Sequence, residues 1–184
     1  METGKVIVSP LRFQLTLMRL CHQVLEHHEN AGDLCIIGIQ ERGVHLADRL
    51  CVHLESMTRG RPFKYGKIDI TFYRDDFRRR DKPIRASRTE MDFGIEGKKV
   101  LLVDDVLYTG RTVHAAIATL QDYGRPSSIE LLCMVDRRFN RHFPIRADYT
   151  GIAVDALEQE YVRVQFSQVD GSDSILLYSG KQNT

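Results

Sequence analysis

The chain has 184 residues, of which 42% are hydrophobic and 28% are charged, and its formal net charge is +1. We expect residues 1–184 to form a single domain, since this length is enough for a core of its own, and a charge so close to zero predicts no global attraction to nucleic acid or to a membrane. Four cysteines without a C-x-x-C pair argue against a zinc site and a disulfide framework, and the lack of a signal-peptide or membrane-spanning apolar run leads us to expect a cytoplasmic protein.

The first half of the chain is predicted to alternate helices with strands. Ser9 and Pro10 supply the capping hydroxyl and first-turn proline of a helix, which ends at the turn ENAGD (29–33). LCIIGI (34–39) has the unbroken apolar pattern of a short buried strand, and KIDITFY (67–73) alternates its apolar residues as a strand does. The apolar residues that recur at helical spacing are Leu11, Leu15, Met18 and Leu25 in the first helix, and Ala47, Leu50, Leu54 and Met57 in a second helix between the two strands.

The second half of the chain continues this alternation after a polar interruption. Residues 74–92 carry many charges and few core candidates, so we interpret them as an exposed, mobile loop. A helix is predicted from about Thr112 to Tyr123, between two apolar strands. The strands predicted in this half cover residues 99–104, 129–135, 148–154, 161–166 and 174–179.

Strands that alternate with helices predict an α/β fold with a mainly parallel central sheet and helices on both of its faces. In such sheets, ligands bind beyond the carboxyl ends of the strands. Glycines or charged residues follow three of the predicted strands, at 38–43, at Asp104 and Asp105, and at Asp136 and Arg137. We therefore expect one site built from several strand ends.

The segment VLLVDDVLYTGRTV (100–113) combines two kinds of ligand-binding group. Asp104 and Asp105 follow an apolar strand and suit the vicinal hydroxyls of a ribose, or a magnesium ion reached through its waters. TGRT (109–112) places backbone amides and two hydroxyls at the start of a helix, which is a typical anion site. Either pattern alone is common in ordinary surface loops, but the two joined behind an apolar strand predict a sugar-phosphate site.

Four segments of the chain carry a family resemblance. VLLVDDVLYTGRT resembles the phosphoribosyl pyrophosphate motif of type I phosphoribosyltransferases. With IDITFYRDD, GRPSSIELLCMVDR and PIRADYTG, it makes the chain similar to the PyrR family from about residue 10 to 178. Members of that family attenuate pyrimidine operons and are uracil phosphoribosyltransferases. The resemblance implies the type I phosphoribosyltransferase fold, with a flexible loop at about 74–92 that closes over the active site and a small C-terminal hood at about 137–166.

The reaction that this resemblance implies joins uracil to phosphoribosyl pyrophosphate and gives UMP and pyrophosphate. Mg²⁺ would be held mainly through phosphoribosyl pyrophosphate and would neutralise the leaving group. No general base stands out, so positioning and charge stabilisation are expected to carry the rate. The implied catalytic residues are Asp104, Asp105, Arg42 and Arg74. The implied substrate-binding residues are Glu41 and Arg42 on the pyrophosphate side, Asp104 and Asp105 at the ribose, Thr109, Gly110, Arg111 and Thr112 around the 5-phosphate, and Arg137 and Val162 beside the base, together with Val106, Leu107 and Tyr108 of the same segment.

The same resemblance implies a second function, in which a homodimer or homotetramer binds a messenger RNA leader and senses UMP or UTP. Three residues depart from the family pattern: Met18 replaces a hydroxyl, Ile152 replaces a lysine, and Asp155 brings a charge that repels phosphate. Cations supply most of the affinity for RNA, so these departures weaken the expectation of RNA binding. The basic residues implied for RNA contact are Arg19, His22, Arg138, Arg141 and Arg146.

Three alternatives to this interpretation stay open at the level of the sequence. The first alternative is an RNA-binding regulator with weak catalysis. The second is an enzyme that uses a purine base, and the third is an enzyme that uses orotate. Against orotate, no additional cation is assigned to its carboxylate. Against hypoxanthine, the match across residues 125–151 follows the uracil-type family closely.

Overall fold

The structure is a computed structural model that describes residues 4–28, 33–70 and 89–180. Within these ranges the helices are α1 (Pro10–His27), α2 (Arg42–Met57), α3 (Arg111–Leu120, continued by a 3-10 turn at Gln121–Tyr123) and the short α4 (Ser167–Asp170). The strands are β1 (Lys5–Val8), β2 (Leu34–Ile39), β3 (Lys64–Ile68), β4 (Lys99–Leu107), β5 (Ser128–Arg138), β6 (Tyr149–Asp155), β7 (Glu160–Gln165) and β8 (Ser174–Ser179).

The strands form two sheets. The central sheet has five strands in the order β3-β2-β4-β5-β6, all of them parallel. The small sheet has three antiparallel strands in the order β1-β8-β7, and β7 contacts the central strands β4 and β5. The prediction of an α/β fold with a parallel central sheet flanked by helices is therefore confirmed.

Both faces of the central sheet are covered, which explains the unbroken apolar run of β2. Leu34 and Ile36 pack with the buried residues of α1 and α2 on one face. Ile37 and Ile39 pack with the buried residues of α3 on the other face.

The four cysteines are free and buried, and burial raises the pKa of Cys51 to about 12, as expected for thiols that pack as small hydrophobic groups. No helix in the described ranges is both long and apolar enough to cross a bilayer.

Helix α1 begins as predicted but buries a different apolar stripe. The Ser9 hydroxyl accepts a hydrogen bond from the backbone N–H of Arg12 at 3.4 Å, which caps the helix start. Of the apolar residues that recur at helical spacing in the predicted helix, Leu11 and Leu15 are 67% and 61% exposed, so they do not pack in the core. The helix carries two apolar stripes at helical spacing, and the one that packs against the sheet is formed by Phe13, Leu17, Leu20, Cys21 and Val24.

Several strands differ from their predicted bounds. Strands β4 and β5 extend past their apolar runs, because their ladder of parallel pairing continues as far as Leu107 and Asp136. Strand β3 starts at Lys64, so the predicted strand 67–73 was placed too late. The residues 71–73 of that prediction, and 74–88 of the predicted loop, lie outside the described residues. Near the end of that loop, Glu90 pairs with Lys67 through two backbone hydrogen bonds of 2.8 and 2.9 Å.

Candidate active site

A cavity of about 270 Å³ lies where the ends of β4 and β5, the start of α2 and the strand β7 meet. This is the carboxyl edge of the central sheet, where the sequence predicted a site. The small sheet covers this edge through β7. The residues that line the cavity are Arg42, Asp105, Val106, Tyr108, Arg137, Tyr161, Val162 and Arg163.

The two aspartates at the end of β4 have different surroundings. Asp105 lines the cavity, whereas Asp104 is buried, with 6% of its surface exposed, outside that lining. The Oδ1 atom of Asp104 accepts a hydrogen bond from the backbone N–H of Asp105 at 3.0 Å, which fixes the strand end. Burial raises the pKa of the Asp105 carboxyl above its usual value, and the nearby Arg42 guanidinium opposes that rise.

Arg42 reaches from the first turn of α2 across to the small sheet. Its Nη2 atom donates hydrogen bonds to the Val164 carbonyl at 2.6 Å and to the Asp170 carboxylate. Its Nε atom lies 3.6 Å from Asp105 Oδ2 and has no hydrogen-bond partner in the described part of the chain. The guanidinium therefore joins the central sheet to the small sheet at the rim of the cavity.

Gly43 explains how α2 comes so close to β4. A Cβ atom at this position would lie 2.5 Å from the Val103 carbonyl oxygen and 3.1 Å from the Asp104 Cα atom. Only glycine permits this approach of helix and strand backbones. The close approach places Arg42, the preceding residue, beside the strand-end carboxylates.

The TGRT turn forms the start of α3. Gly110 precedes the helix with φ +87°, a left-handed conformation that favours glycine. The Thr109 hydroxyl accepts a hydrogen bond from the backbone N–H of Arg111 at 3.3 Å. The first turn of the ten-residue helix then presents backbone N–H groups, which suit a phosphate.

The loop that follows β5 packs against this turn. The backbone N–H groups of His142 and Phe143 donate to the Thr109 carbonyl at 2.9 and 3.1 Å. The Arg141 guanidinium donates to the Tyr108 carbonyl and to Asp136 Oδ1, the latter at 2.5 Å. Residues 139–148, which we call the basic loop because they carry Arg141, His142 and Arg146, thus support the TGRT turn (109–112), which we call the phosphate turn. The sequence did not indicate this contact.

The opposite end of the cavity is formed by Arg137 and β7. Arg137 is 5% exposed, and its guanidinium carbon lies 3.8 Å from the centre of the Tyr108 ring. Its Nη2 atom donates to the Leu157 carbonyl at 2.7 Å, while its Nε atom has no hydrogen-bond partner among the described residues. Val162 supplies an apolar wall. A buried donor without a protein partner suits a ligand that carries an acceptor.

The cavity brings together six of the substrate-binding residues expected from the resemblance. Glu41 is exposed outside the lining, and Leu107 is a core residue on the α3 side, since only 1% of its surface is exposed. Arg74 lies outside the described residues. The expected residues that line the cavity are Arg42, Asp105, Val106, Tyr108, Arg137 and Val162, whereas Thr109, Gly110, Arg111 and Thr112 lie at the start of α3.

Two lining residues, Tyr161 and Arg163, were missed in the sequence, as was Asp170, which contacts Arg42. Tyr161 and Arg163 flank Val162 on β7, where strand alternation places them on the opposite face from Val162, so the sequence carried no signal that all three line one cavity. Asp170 has no local signal, because its contact to Arg42 spans 128 positions of the chain.

The residues expected to contact RNA divide into paired and exposed groups. Arg138 forms an ion pair with Asp155, with 2.7 Å between Nε and Oδ1, and Arg141 pairs with Asp136. Arg19 donates to the carbonyls of Gly151 and Thr150 at 2.5 and 3.3 Å. His22 and Arg146 are exposed. The charges of Arg138 and Arg141 are therefore offset by neighbouring carboxylates.

Comparisons with known proteins agree with the fold. Residues 11–167 match the model of the phosphoribosyl transferase domain family. The chain is 42% identical over 173 residues to the "Bifunctional protein PyrR" of Elusimicrobium minutum (strain Pei191), covering 94% of this chain and 96% of the relative. It is 40% identical over 184 residues to the protein of the same name from Bacillus subtilis (strain 168), covering 98% of this chain and all of the relative.

Solved structures of lower identity show the same fold. A hypoxanthine phosphoribosyltransferase of Staphylococcus aureus aligns with a TM-score of 0.70 at 18% identity, covering 97% of this chain and 93% of that one. A hypoxanthine phosphoribosyl transferase of Trypanosoma cruzi aligns with a TM-score of 0.72 at 15% identity, covering 96% of this chain and 92% of that one.

Proposed function

The chain belongs to the phosphoribosyltransferase family, and from this premise we propose that it is a uracil phosphoribosyltransferase, which converts uracil and phosphoribosyl pyrophosphate to UMP and pyrophosphate. The observation that carries the proposal is the single cavity lined by Asp105, Arg42 and Arg137, with the phosphate turn beside it. Together they provide a separate group for the ribose, the 5-phosphate, the pyrophosphate and the base.

The sugar end of the substrate is assigned to the end of β4 and the start of α3. The carboxylate of Asp105 accepts hydrogen bonds from the ribose hydroxyls, and the buried Asp104 holds the strand end through the Asp105 backbone N–H. The backbone N–H groups of residues 109–112 bind the 5-phosphate at the positive end of the α3 dipole. Both groups belong to one continuous segment, so the ribose and its phosphate are bound in a fixed relation.

The pyrophosphate is assigned to Arg42, whose guanidinium lies at the rim of the cavity. The carboxylate oxygens of Asp105, which line the cavity, fit the preference of magnesium for oxygen ligands, met directly or through its waters. When magnesium is bound with phosphoribosyl pyrophosphate, it neutralises charge on the leaving group. The protein's own contribution is to orient the sugar and to keep a cation close to the pyrophosphate oxygens.

The base is assigned to the pocket between Arg137, Tyr108 and Val162. The Nε–H of Arg137, which has no hydrogen-bond partner among the described residues, donates to a uracil carbonyl, and the side chains of Tyr108 and Val162 contact the faces or edge of the ring. The ring N–H of uracil is more acidic than the N–H of an amine, so no strong general base is required in this pocket. Positioning of the base against the ribose then carries most of the rate.

A turnover assay with four bases tests this proposal. Uracil, orotate, hypoxanthine and guanine are each supplied with phosphoribosyl pyrophosphate and magnesium, and nucleotide formation is measured. We expect the highest kcat/KM with uracil. Equal or better use of another base would overturn the assignment of the base pocket, and no turnover with any base would overturn the enzymatic proposal.

We also propose a regulatory function, RNA binding that responds to UMP. Two observations favour it: several relatives are named bifunctional, and the basic loop that carries Arg141 and His142 contacts the phosphate turn at Tyr108 and Thr109. A phosphate bound at the turn therefore acts on the loop directly. Gel-shift titrations with a pyrimidine-operon leader RNA, with and without UMP over a salt series, test this proposal; weak binding that ignores UMP would contradict it.

A further inference from the structure

We propose that Asp170 is a positioning residue for phosphoribosyl transfer, which acts by holding the guanidinium of Arg42 in place at the rim of the cavity. The inference rests on the proposed function, because it assigns Arg42 to the pyrophosphate. Asp170 is the last residue of α4, in the connection between β7 and β8. It is not among the residues that line the cavity, so its effect on a substrate is exerted through Arg42.

The Asp170 carboxylate is a hub for three donors. Its Oδ2 atom accepts from Arg42 Nη2 and from the backbone N–H of Phe166, the latter at 2.9 Å, and its Oδ1 atom accepts from Arg163 Nη2 at 2.8 Å. Only 7% of the side chain is exposed. The backbone amide fixes the carboxylate, and the carboxylate in turn fixes two arginines that line the cavity.

The charge state of this hub suits its role. Burial by itself raises the pKa of Asp170, but the Phe166 amide and the Arg42 guanidinium outweigh burial and lower the pKa below its usual value. The carboxylate is therefore ionised at neutral pH. An ionised partner gives charge-assisted hydrogen bonds, which are shorter and stronger than neutral ones.

The contacts of Arg42 show how Asp170 determines the position of the Arg42 guanidinium. The Nη2 atom is used by Asp170 and by the Val164 carbonyl, which leaves the Nε edge directed to Asp105 at 3.6 Å. Arg42 thus stands between two carboxylates, one at the sugar end of the site and one in the small sheet. Without the Asp170 charge, the guanidinium is free to move onto Asp105, where it would compete with the ribose hydroxyls and leave the pyrophosphate without its cation.

The same segment offers a matched control. Asp173 is 8% exposed, accepts from the backbone N–H of Ser167 at 2.7 Å, and forms an ion pair with Arg49 at 2.7 Å. It therefore resembles Asp170 in burial, in its backbone contact and in its arginine partner. Arg49 does not line the cavity. Both aspartates are expected to stabilise the fold, whereas only Asp170 is expected to hold an arginine that lines the cavity.

The experiment compares Asp170→Asn with Asp173→Asn in the full chain. We expect Asp170→Asn to raise the KM for phosphoribosyl pyrophosphate about tenfold or more, with the KM for uracil changed less than about twofold. Asp173→Asn is expected to keep both values within about twofold of the wild type while its melting temperature falls. Asp170→Glu retains the charge and is expected to recover part of the lost affinity, and it replaces Asp170→Asn if that variant does not fold.

A binding measurement separates this inference from the proposed function. Titration calorimetry with magnesium pyrophosphate needs no turnover, and we expect weaker binding by Asp170→Asn than by Asp173→Asn. If the wild type binds pyrophosphate but does not use uracil, the uracil assignment fails and the inference is judged by calorimetry alone. Equal KM values and equal pyrophosphate affinities in the two variants would overturn the positioning role, as would no pyrophosphate binding by the wild type.

Discussion

The Nε atom of Arg42 lies 3.6 Å from Oδ2 of Asp105, so the first turn of α2 and the end of β4 are joined by an ion pair across the cavity rim. This pair links the residue assigned to pyrophosphate with a residue assigned to the ribose. The two groups that we assign to opposite ends of one substrate therefore also hold each other in place.

Replacement of both strand-end carboxylates, Asp104→Asn with Asp105→Asn, is expected to lower kcat/KM for phosphoribosyl pyrophosphate by about 100-fold or more, because neutral amides are weaker acceptors for the ribose hydroxyls. The fold is expected to survive, since Arg42 keeps Asp170 as a partner. Steady-state kinetics and circular dichroism check the two statements. Glu26→Gln, on the exposed side of α1, is the control, and near-normal turnover of the double variant would reject the ribose assignment.

Gly43→Ala tests the close approach of α2 to β4. The added methyl group would meet the Val103 carbonyl oxygen at 2.5 Å, so the helix start has to shift and carry Arg42 away from Asp105. We expect a loss of about 1–3 kcal/mol in the free energy of unfolding together with a clear fall in kcat/KM. Urea denaturation and kinetics measure the two effects.

The control for this change is Gly94→Ala, where the nearest atom to a new Cβ is the Tyr123 carbonyl oxygen at an ordinary 3.7 Å. It is expected to leave turnover unchanged. If Gly43→Ala were as stable and as active as Gly94→Ala, the helix start would not depend on glycine.

Arg141 and Arg146 allow the two roles of the basic loop to be separated. Arg141→Met removes the donors to the Tyr108 carbonyl and Asp136, so we expect the KM for phosphoribosyl pyrophosphate to rise about fivefold or more as the phosphate turn loses support. Arg146→Met removes an exposed cation and is expected to leave the KM unchanged. The KM for phosphoribosyl pyrophosphate is measured for both variants by steady-state kinetics. An equal rise in this KM in the two variants would show that the loop acts only through its charge.

Acid stability depends in part on a second carboxylate, far from the cavity. Glu130 Oε2 lies 2.8 Å from both His28 Nε2 and the Tyr149 hydroxyl. Burial raises the pKa of Glu130, but the hydrogen bonds from His28 and Tyr149 outweigh burial and lower it below its usual value. Because the folded pKa is the lower one, this carboxylate stabilises the fold above its unfolded pKa of about 4.3, and the stabilisation is lost as the pH falls through the folded pKa.

We therefore expect Glu130→Gln to lower the free energy of unfolding by about 1–3 kcal/mol at neutral pH and by much less in acid. Urea denaturation at about pH 7 and about pH 3 measures the difference. A penalty of equal size at both pH values would show that packing, and not the charge of Glu130, accounts for the loss.

Local patterns in the sequence were enough to predict the central sheet and its carboxyl edge. The apolar run of β2 and the doubled aspartate of β4 are features of single segments, and the parallel order follows from the alternation of strands and helices. The stripe that α1 buries was not predictable in this way, because Leu11 and Leu15 have the same spacing as Phe13 and Leu17. Only the position of the helix on the sheet chooses between the two stripes.

The parts of the site that come from the small sheet could not be predicted either. Strand β1 has only four residues, and its pairing with β8 joins positions that are about as far apart as the chain allows. The contact of Asp170 with Arg42 depends on how that sheet sits over the strand ends. The Arg141 contact to Tyr108 depends likewise on the path of a loop, so a basic residue that suggested RNA had an internal partner.

The order β1-β8-β7 means that the first strand of the chain shields the flank of the strand that runs through the middle of the small sheet. Proteolytic removal of Lys5–Val8 would strip the backbone N–H and C=O groups of β8 of their neighbours on that side. A clipped molecule would then expose an unpaired strand edge in the small sheet that covers the cavity, and this edge could pair with a strand of another chain and cause aggregation.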